Sequence, residues 1–338
     1  MIIYDGIIEN LQQSGGVTVV FNELIKRLTD YSYCSYEFSS RIVSPQKNHI
    51  LGSRFLERYR DAQLPNHILG KDVVFHSTYY RLPANKKLPV VTTVHDFTYE
   101  RFVKGPAKWV HSWQKNRAIR NSDLVICVSH NTAKDLQKYC PINPEKIRVI
   151  YNGVSDSYHP LDGISSEKSQ DVVFVGARSG YKNFTLAVES VATVPNLQLK
   201  IVGGGKLSEE EIKHLDAYLP NRYQWLGRLS DEELNQTYNK AYALLYPSSY
   251  EGFGIPVIEA MRAGCPVIAV NVSSIPEVAG DAAILVEKAT ATAFSEALIQ
   301  LPAIRQRLIS TGFTQAAKFS WDRCFEETLE VYNELLAK

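Results

Sequence analysis

The sequence predicts an α/β protein of two Rossmann-like domains, each a doubly wound parallel sheet, the two facing one another across a cleft. Three observations carry that expectation. The chain has 338 residues, more than one average domain and enough for two of about 150 each. Short apolar runs alternate with amphipathic stretches, and the whole series occurs twice, as strand–helix units in parallel sheets require. The charge is also divided. A net charge of +1 conceals +7 over residues 1–160, from 21 Lys/Arg and 14 Asp/Glu, and −6 over the remainder. Halves of opposite sign suit different partners.

Composition excludes several classes. With 45% apolar and 22% charged residues, the chain is that of an ordinary globular protein. No apolar run approaches the roughly 20 residues of a membrane span. The chain opens on an apolar strand with neither a basic segment nor a cleavage site, so no signal peptide and a cytoplasmic location are expected. The five cysteines, at 34, 127, 140, 265 and 324, lack metal-ligand spacing; Cys127 and Cys265 read as buried thiols. Nineteen tyrosines and four tryptophans suit stacking on sugars as well as core packing.

In the first half, residues 1–4 read as a strand. Ser14-Gly15-Gly16 precedes a helix over 17–28 with apolar residues at 17, 20, 21, 24, 25 and 28. A glycine pair there lets backbone approach a phosphate, or serves only a tight turn. Residues 36–43 read as the second strand and 54–61 as a charged helical piece. Strands over 72–76 and 89–94 follow, the latter running into His95-Asp96. A histidine directly after a buried parallel strand lies at the carboxyl edge of the sheet, where α/β sites form. The alternative is a histidine satisfied within a loop, and Asp96 either orients it or caps the next turn. Residues 101–120 are strongly basic and helical after Pro106. Their Trp109 and Trp113, among Lys108, Lys115, Arg117 and Arg120, fit an interfacial surface near anionic lipid or an ordinary inward-packed helix; both stay open. A strand over 123–128, a helix over 130–139 capped by Ser129 and a strand over 146–150 complete this half. The polar stretch 159–170, with Pro160 and Gly163, marks the boundary.

The second half starts with a strand over 171–175 and a turn whose mouth is straddled by Arg178 and Lys182. Two such cations suit a diphosphate, or form a solvated basic loop. A strand over 197–202 meets Gly203-Gly204-Gly205, which lacks the spacing of a dinucleotide fingerprint. Another strand, 223–226, ends at Gly227-Arg228-Leu229. The most informative stretch is 248–266, SSYEGFGIPVIEAMRAGCP, after an apolar strand over 241–246. A glycine-containing turn gives way to a helix over 255–263, with Pro256 suited to its start and Gly264 to its end. Unpaired N–H groups and the positive end of the helix dipole make this junction an anion site. Glu251 lies in the turn, and Glu259 about one turn into the helix on the face of Ile255. The alternative for the two carboxylates is a solvated helix face. Strands over 266–270 and 282–286 follow, then helices over 290–301, 302–318 and 321–337.

The stretch from Glu251 to Glu259 resembles the Glu-seven-residues-Glu signature of the retaining nucleotide-sugar glycosyltransferases of family 4, which adopt the GT-B fold. The resemblance implies that Glu251 binds the donor sugar, that the amides of Gly252, Phe253, Gly254 and Ile255 bind the sugar and its phosphate, and that Glu259 binds the ribose. It assigns Arg178 and Lys182 to the diphosphate, Arg228 and Leu229 to the border of the nucleotide base, Gly15 and Gly16 to the loop beside the diphosphate and acceptor, and His95 to the transferring sugar. It also implies an N-terminal acceptor domain over 1–160, a donor domain over 161–319 and a terminal helix, 320–338, crossing back to the first domain. No Asp-x-Asp occurs in the chain, so neither a metal nor a cofactor is expected. His95-Asp96 together with HSTYYRLP at 76–83 is similar to bacterial surface-polysaccharide mannosyltransferases. That likeness implies GDP-mannose as donor, with a UDP-hexose as the alternative, and a lipid-diphosphate-linked glycan as acceptor at the inner membrane face. Nucleotide-sugar 2-epimerases share the fold and form the second alternative.

Overall fold

A computed structural model describes residues 1–12, 15–36, 47–70, 72–163, 169–178 and 180–337. They form two units, Met1–Gly153 with Trp321–Lys338, and Val154–Ser320. The first unit is built on seven strands: Ile2–Asp5 (β1), Tyr31–Tyr36 (β2), Asn48–Leu51 (β3), Val74–Ser77 (β4), Val90–Val94 (β5), Leu124–Cys127 (β6) and Ile147–Val149 (β7). All pair in parallel, in the order β3-β2-β1-β4-β5-β6-β7. The inner strands β1, β4, β5 and β6 are buried at every residue, the polar Asp5, His76, Ser77, Thr92 and Thr93 included, as strands covered on both faces are. Helices Ile8–Leu11 (α1), Gly16–Arg27 (α2), Thr98–Phe102 (α3), Pro106–Arg120 (α4) and His130–Tyr139 (α5) complete the crossovers. The Ser129 hydroxyl caps α5 by accepting from the Thr132 N–H.

Three local readings need correction. The second strand among the described residues is Tyr31–Tyr36, starting five residues before the one expected over 36–43, whose residues 37–43 lie outside the described residues. Its YSYCSY sequence carries little hydropathy signal, yet Ser32 and Ser35 are buried and Ser35 Oγ donates to Asn48 Oδ1 across to β3. Residues 54–61 form no α-helix. Leu56 takes a left-handed backbone, φ +58°, which ends helical continuity, and a short 3₁₀ turn at Glu57–Tyr59 is all that forms. Ion pairs hold the segment instead: Glu57 accepts from Arg54 at 2.7 Å and from the buried Arg81 at 2.5 Å. Strand β4 is also shifted from 72–76 to Val74–Ser77 by its register with β1, Ile2 opposite Val74.

The second unit is a six-stranded parallel sheet of Asp171–Val175 (β8), Gln198–Val202 (β9), Tyr223–Gly227 (β10), Ala243–Tyr246 (β11), Val267–Val270 (β12) and Ala283–Val286 (β13), in the order β10-β9-β8-β11-β12-β13. Its helices are Phe184–Ala192 (α6), Glu209–Tyr218 (α7), Asp231–Lys240 (α8), Ile255–Arg262 (α9), Ile275–Ala279 (α10) and Ala291–Ala316 (α11). Helix α11 replaces the two helices expected over 290–301 and 302–318, with Pro302 inside it. Proline cannot donate to the carbonyl four residues back. Here the Tyr242 hydroxyl donates to that orphan, the Leu298 carbonyl, at 2.8 Å, so the helix continues.

The C-terminal helix, Trp321–Leu336, belongs to the first unit. Trp321, Cys324, Val331, Tyr332 and Leu335 enter the core formed by α2 and the sheet. Tyr332 Oη lies 2.9 Å from Tyr4 Oη and 2.6 Å from His76 Nδ1, and His76 Nε2 lies 2.9 Å from Thr93 Oγ1. A buried polar chain thus ties the last helix to β1, β4 and β5.

Candidate active site

In a doubly wound sheet, crevices open where successive crossovers leave in opposite directions. In the second unit that point lies between β8 and β11, and the loops after these strands, 176–183 and 247–254, carry the expected residues. They are laced together. Asn183, in a left-handed conformation, donates from Nδ2 to the Pro247 carbonyl and Ser249 Oγ, both at 2.7 Å, and the Ser249 N–H donates to the Tyr181 carbonyl at 2.8 Å. Across this junction Lys182 Nζ meets Glu251 Oε1 at 2.6 Å, with the side chains only 14% and 12% exposed. The ammonium also lies 5.3 and 5.6 Å from the Tyr181 and Tyr246 ring centres. Lys182 and Glu251 are therefore each other's charge partners.

The turn bearing Glu251 is fixed from β12. The Glu251 N–H donates to Ser273 Oγ at 2.9 Å, and buried Ser274 donates from Oγ to the carbonyls of Glu251 and Phe253 at 3.0 and 2.8 Å. Gly252, Phe253 and Gly254 are buried, Phe253 edge-on to Phe319. Gly254, at φ +105°, has no room for a side chain: an added Cβ would stand 2.8 Å from Ile275 Cδ1. Ile255 then opens α9, with Pro256 in its first turn; Gly254 offers this helix start no side-chain cap, and the Val257 N–H donates to the Gly254 carbonyl at 3.0 Å.

Glu259 lies on α9 facing two tyrosines rather than a solvated helix face. The Tyr238 hydroxyl donates to its Oε2 at 3.4 Å, and the Tyr158 hydroxyl donates to Asp231 Oδ1 at 3.1 Å. Burial, reinforced by the Asp231 charge and opposed by the hydrogen bonds of Tyr158 and Tyr238, raises the Glu259 carboxyl to about 8. It is largely protonated at neutral pH.

Arg178 is engaged differently from Lys182. Its Nε donates to Glu211 Oε1 at 2.7 Å, Nη1 to the Gly203 carbonyl at 2.9 Å, and Nη2 to the carbonyls of Gly205 and Lys206 at 3.2 and 2.8 Å. The side chain is 4% exposed. Gly203, Gly204 and Gly205 all have positive φ, and a Cβ on Gly204 would collide with the Arg178 guanidinium. The three glycines thus fold around one buried cation. Arg228 and Leu229 follow β10; Arg228 is exposed and forms no ion pair among the described residues.

In the first unit, Gly15 and Gly16 stand at the start of α2. Gly15 is extended, its carbonyl accepting from the Val19 N–H, and a Cβ on Gly16 would meet open space. His95 follows β5 with its Nε2 buried and without a hydrogen-bond partner among the described residues. Burial, opposed by Asp96 and aided by the nearby Lys115 charge, pushes the imidazole down to about 4, so it is neutral at pH 7. Asp96 caps the following turn, accepting from the Thr98 N–H at 2.8 Å. Arg81, from the 76–83 motif, is fully buried and bonded to Asp5, Tyr36 and Glu57.

Comparison with known proteins reads the same division. A profile described as glycosyl transferases group 1 matches residues 162–311, and one described as glycosyltransferase family 4 matches residues 14–158. The chain belongs to the group 1, family 4 glycosyltransferases. This glycosyltransferase is 27% identical over 289 residues to the O-antigen chain mannosyltransferase B of Escherichia coli, covering 78% of this chain and 75% of that one. Its fold is GT-B. It matches sucrose-phosphate synthase from Thermosynechococcus elongatus at a TM-score of 0.78, with 17% identity over 99% of both chains. The HepE protein of Anabaena, solved with UDP and glucose, matches at 0.73 with 17% identity, over 98% of this chain and 99% of that one.

Several groups that shape this glycosyltransferase's site carry no sequence signal of their own. Ser273, Ser274 and Asn183 act through loop contacts, and Tyr158 and Tyr238 meet Glu259 only through the fold. Glu211 did have a local signature. Ser208 and Glu211 form a capping box at the start of α7, and the second Glu211 oxygen serves that cap.

Proposed function

We propose that the chain transfers a hexose, mannose first, from a nucleotide-diphosphate sugar to a glycan acceptor with retention at the anomeric carbon. The observation that carries this reading is the Lys182–Glu251 pair, 2.6 Å apart at the sheet's switch point, beside the N-terminus of α9. A cation and a helix N-terminus suit the diphosphate, and the adjoining carboxylate suits sugar hydroxyls. The mannosyltransferase relative favours GDP-mannose, and the UDP held by the HepE neighbour keeps a UDP-hexose as the alternative. The acidic C-terminal unit takes the donor and the basic N-terminal unit the acceptor, a lipid-diphosphate-linked glycan in surface-polysaccharide synthesis.

In the reaction the bond between the anomeric carbon and the diphosphate oxygen breaks while the acceptor oxygen bonds to the same face. The departing phosphate oxygen takes the acceptor proton, so no protein nucleophile is needed and none is assigned. Lys182 and the α9 amides stabilise the growing negative charge. Glu251 positions the sugar, Glu259 accepts from the ribose, and neutral His95 contributes to holding the transferred sugar. Arg178, engaged by Glu211 and the glycine turn, acts by shaping that turn. Arg228 and Leu229 border the base. The reaction needs no metal: full turnover in excess chelator is expected, and loss restored by Mn²⁺ would contradict this.

The deciding experiment incubates the protein with GDP-mannose, UDP-glucose and other nucleotide sugars, following nucleotide release with and without glycan acceptor. Acceptor-dependent release with an α-configured product from GDP-mannose supports the proposal. An inverted product, or a donor isomer formed without acceptor as a 2-epimerase would make, overturns it.

A further inference from the structure

Strand β4 carries a histidine where its surroundings would accept a hydrocarbon ring. His76 is fully buried, with the rings of Tyr4, Phe21 and Tyr332 centred 5.7, 5.0 and 5.6 Å away. An apolar side chain would fill this volume without the cost of desolvating two ring nitrogens. The histidine uses both of them: Tyr332 Oη lies 2.6 Å from Nδ1 and Thr93 Oγ1 lies 2.9 Å from Nε2. Burial lowers His76 to about 3, so the ring is neutral, and it donates one of these bonds and accepts the other. With a partner at each nitrogen the imidazole can neither rotate nor slide.

Both ends of this chain lead to His95. Thr93 belongs to β5, and His95 stands two residues further along, on the same face by strand alternation. A second link runs through α2: Phe21 is edge-on to His76 at 5.0 Å and to His95 at 6.2 Å between ring centres. Tyr4 packs on Phe21 at 6.0 Å and bonds Tyr332 at 2.9 Å, which closes the circuit. Tyr4, Phe21, His76 and Tyr332 are each at most 2% exposed, so none of them can yield without disturbing the next. His95 Nε2 has no hydrogen-bond partner among the described residues. The placement of that nitrogen therefore depends on what the ring rests against.

We propose that His76 is a positioning residue for His95: pinned by Tyr332 of the C-terminal helix and by Thr93, it holds β5 and Phe21 as the two supports of the His95 imidazole. The use of that imidazole on the transferred sugar rests on the function proposed above; the support does not. The charged groups bearing on His95 are Asp96 and Lys115, with neutral His76 beyond Phe21, and the test leaves Asp96 and Lys115 in place. Burial keeps His95 at about 4, so loosening its supports admits water and raises it toward the ordinary 6.5. The test follows the histidine side chains by NMR from about pH 7.5 to about pH 5, without donor or acceptor. His95 signals are assigned by their loss in His95→Gln. In the wild type His95 should stay neutral throughout. It should titrate within that range in Tyr332→Phe, which keeps the ring and removes the hydroxyl, and in Thr93→Val. Leu335→Ala removes a core contact of the same helix outside the chain; it should lower the unfolding temperature and leave His95 neutral. A His95 that already titrates in the wild type, that is unshifted in both chain variants, or that Leu335→Ala shifts equally overturns the proposal. In transferase assays Tyr332→Phe and Thr93→Val should lower kcat at least about tenfold and change the donor KM less than about threefold. A shifted His95 with kcat unchanged keeps the positioning and counts against the functional role of His95 alone.

Discussion

The Lys182–Glu251 pair puts a cation and an anion of the site in mutual custody. Each neutralises the other across 2.6 Å, so on the proposed function a donor would exchange both contacts, the diphosphate for Lys182 and the sugar for Glu251. Lys182→Ala should lower turnover by roughly 10²–10³, the scale of losing one donor to developing charge, measured as kcat with saturating donor. Glu259 offers a sharper test. With its carboxyl near 8, ribose hydroxyls find an ionised acceptor only as the pH rises through that value, and hydrogen bonds to a charged acceptor are the stronger ones. The donor KM should fall across that range in the wild type and stay flat in Glu259→Gln. A flat wild-type profile would remove the ribose role.

Among the elements, the turn 203–206 and helix α11 each depend on one distant side chain. Arg178→Ala removes the bond to Glu211 and the three to the turn carbonyls, and Glu211→Gln only the charge behind the first, so both should lower the unfolding temperature and raise the donor KM, Arg178→Ala the more, with kcat retained within about tenfold. A loss of kcat by several orders in Arg178→Ala, with Glu211→Gln unaffected, would instead put the guanidinium on the diphosphate. Tyr242→Phe leaves the Leu298 carbonyl unpaired opposite Pro302 and should cost about 1–3 kcal/mol in denaturant unfolding. These dependences also mark where the sequence was and was not legible. Buried parallel strands such as Val90–Val94, and the turn-to-helix junction at Gly254, write themselves in local pattern. Strand β2 did not, because its serines and tyrosines are apolar only in company with β1 and β3. The outward tryptophans of α4 stayed undecided for a related reason. Hydropathy says which residues prefer a core, and α4 spends its inward face on a polar network that only the fold assembles.

At the scale of the molecule, three buried histidines of the first unit and Glu259 of the second bias stability with pH in opposite directions. In the first, burial holds His76 and His111 at about 3 and His95 at about 4, below the ordinary histidine range. Unfolding releases them to bind protons, so their contribution is complete above about 6.5 and is lost as the pH falls toward 3. In the second, Glu259 binds its proton more tightly when folded. Its contribution is complete below about 4.5 and is lost as the pH rises through about 8. Calorimetric scans at pH 5 and pH 8 should therefore show the unfolding transitions moving apart in opposite senses, and Glu259→Gln should remove the alkaline shift alone. One feature of the first unit bears on its biogenesis. Tyr332, separated from the rest of its unit by residues 154–320, completes a polar chain that begins at Tyr4, and the core between them includes Trp321 and Val331. While the ribosome still holds those residues, the unit that emerged first lacks a wall. The second unit, Val154–Ser320, is continuous and can close during synthesis. Of the two units, the discontinuous one is thus the later to close, and its exposed half-core is what a chaperone would meet on the nascent chain.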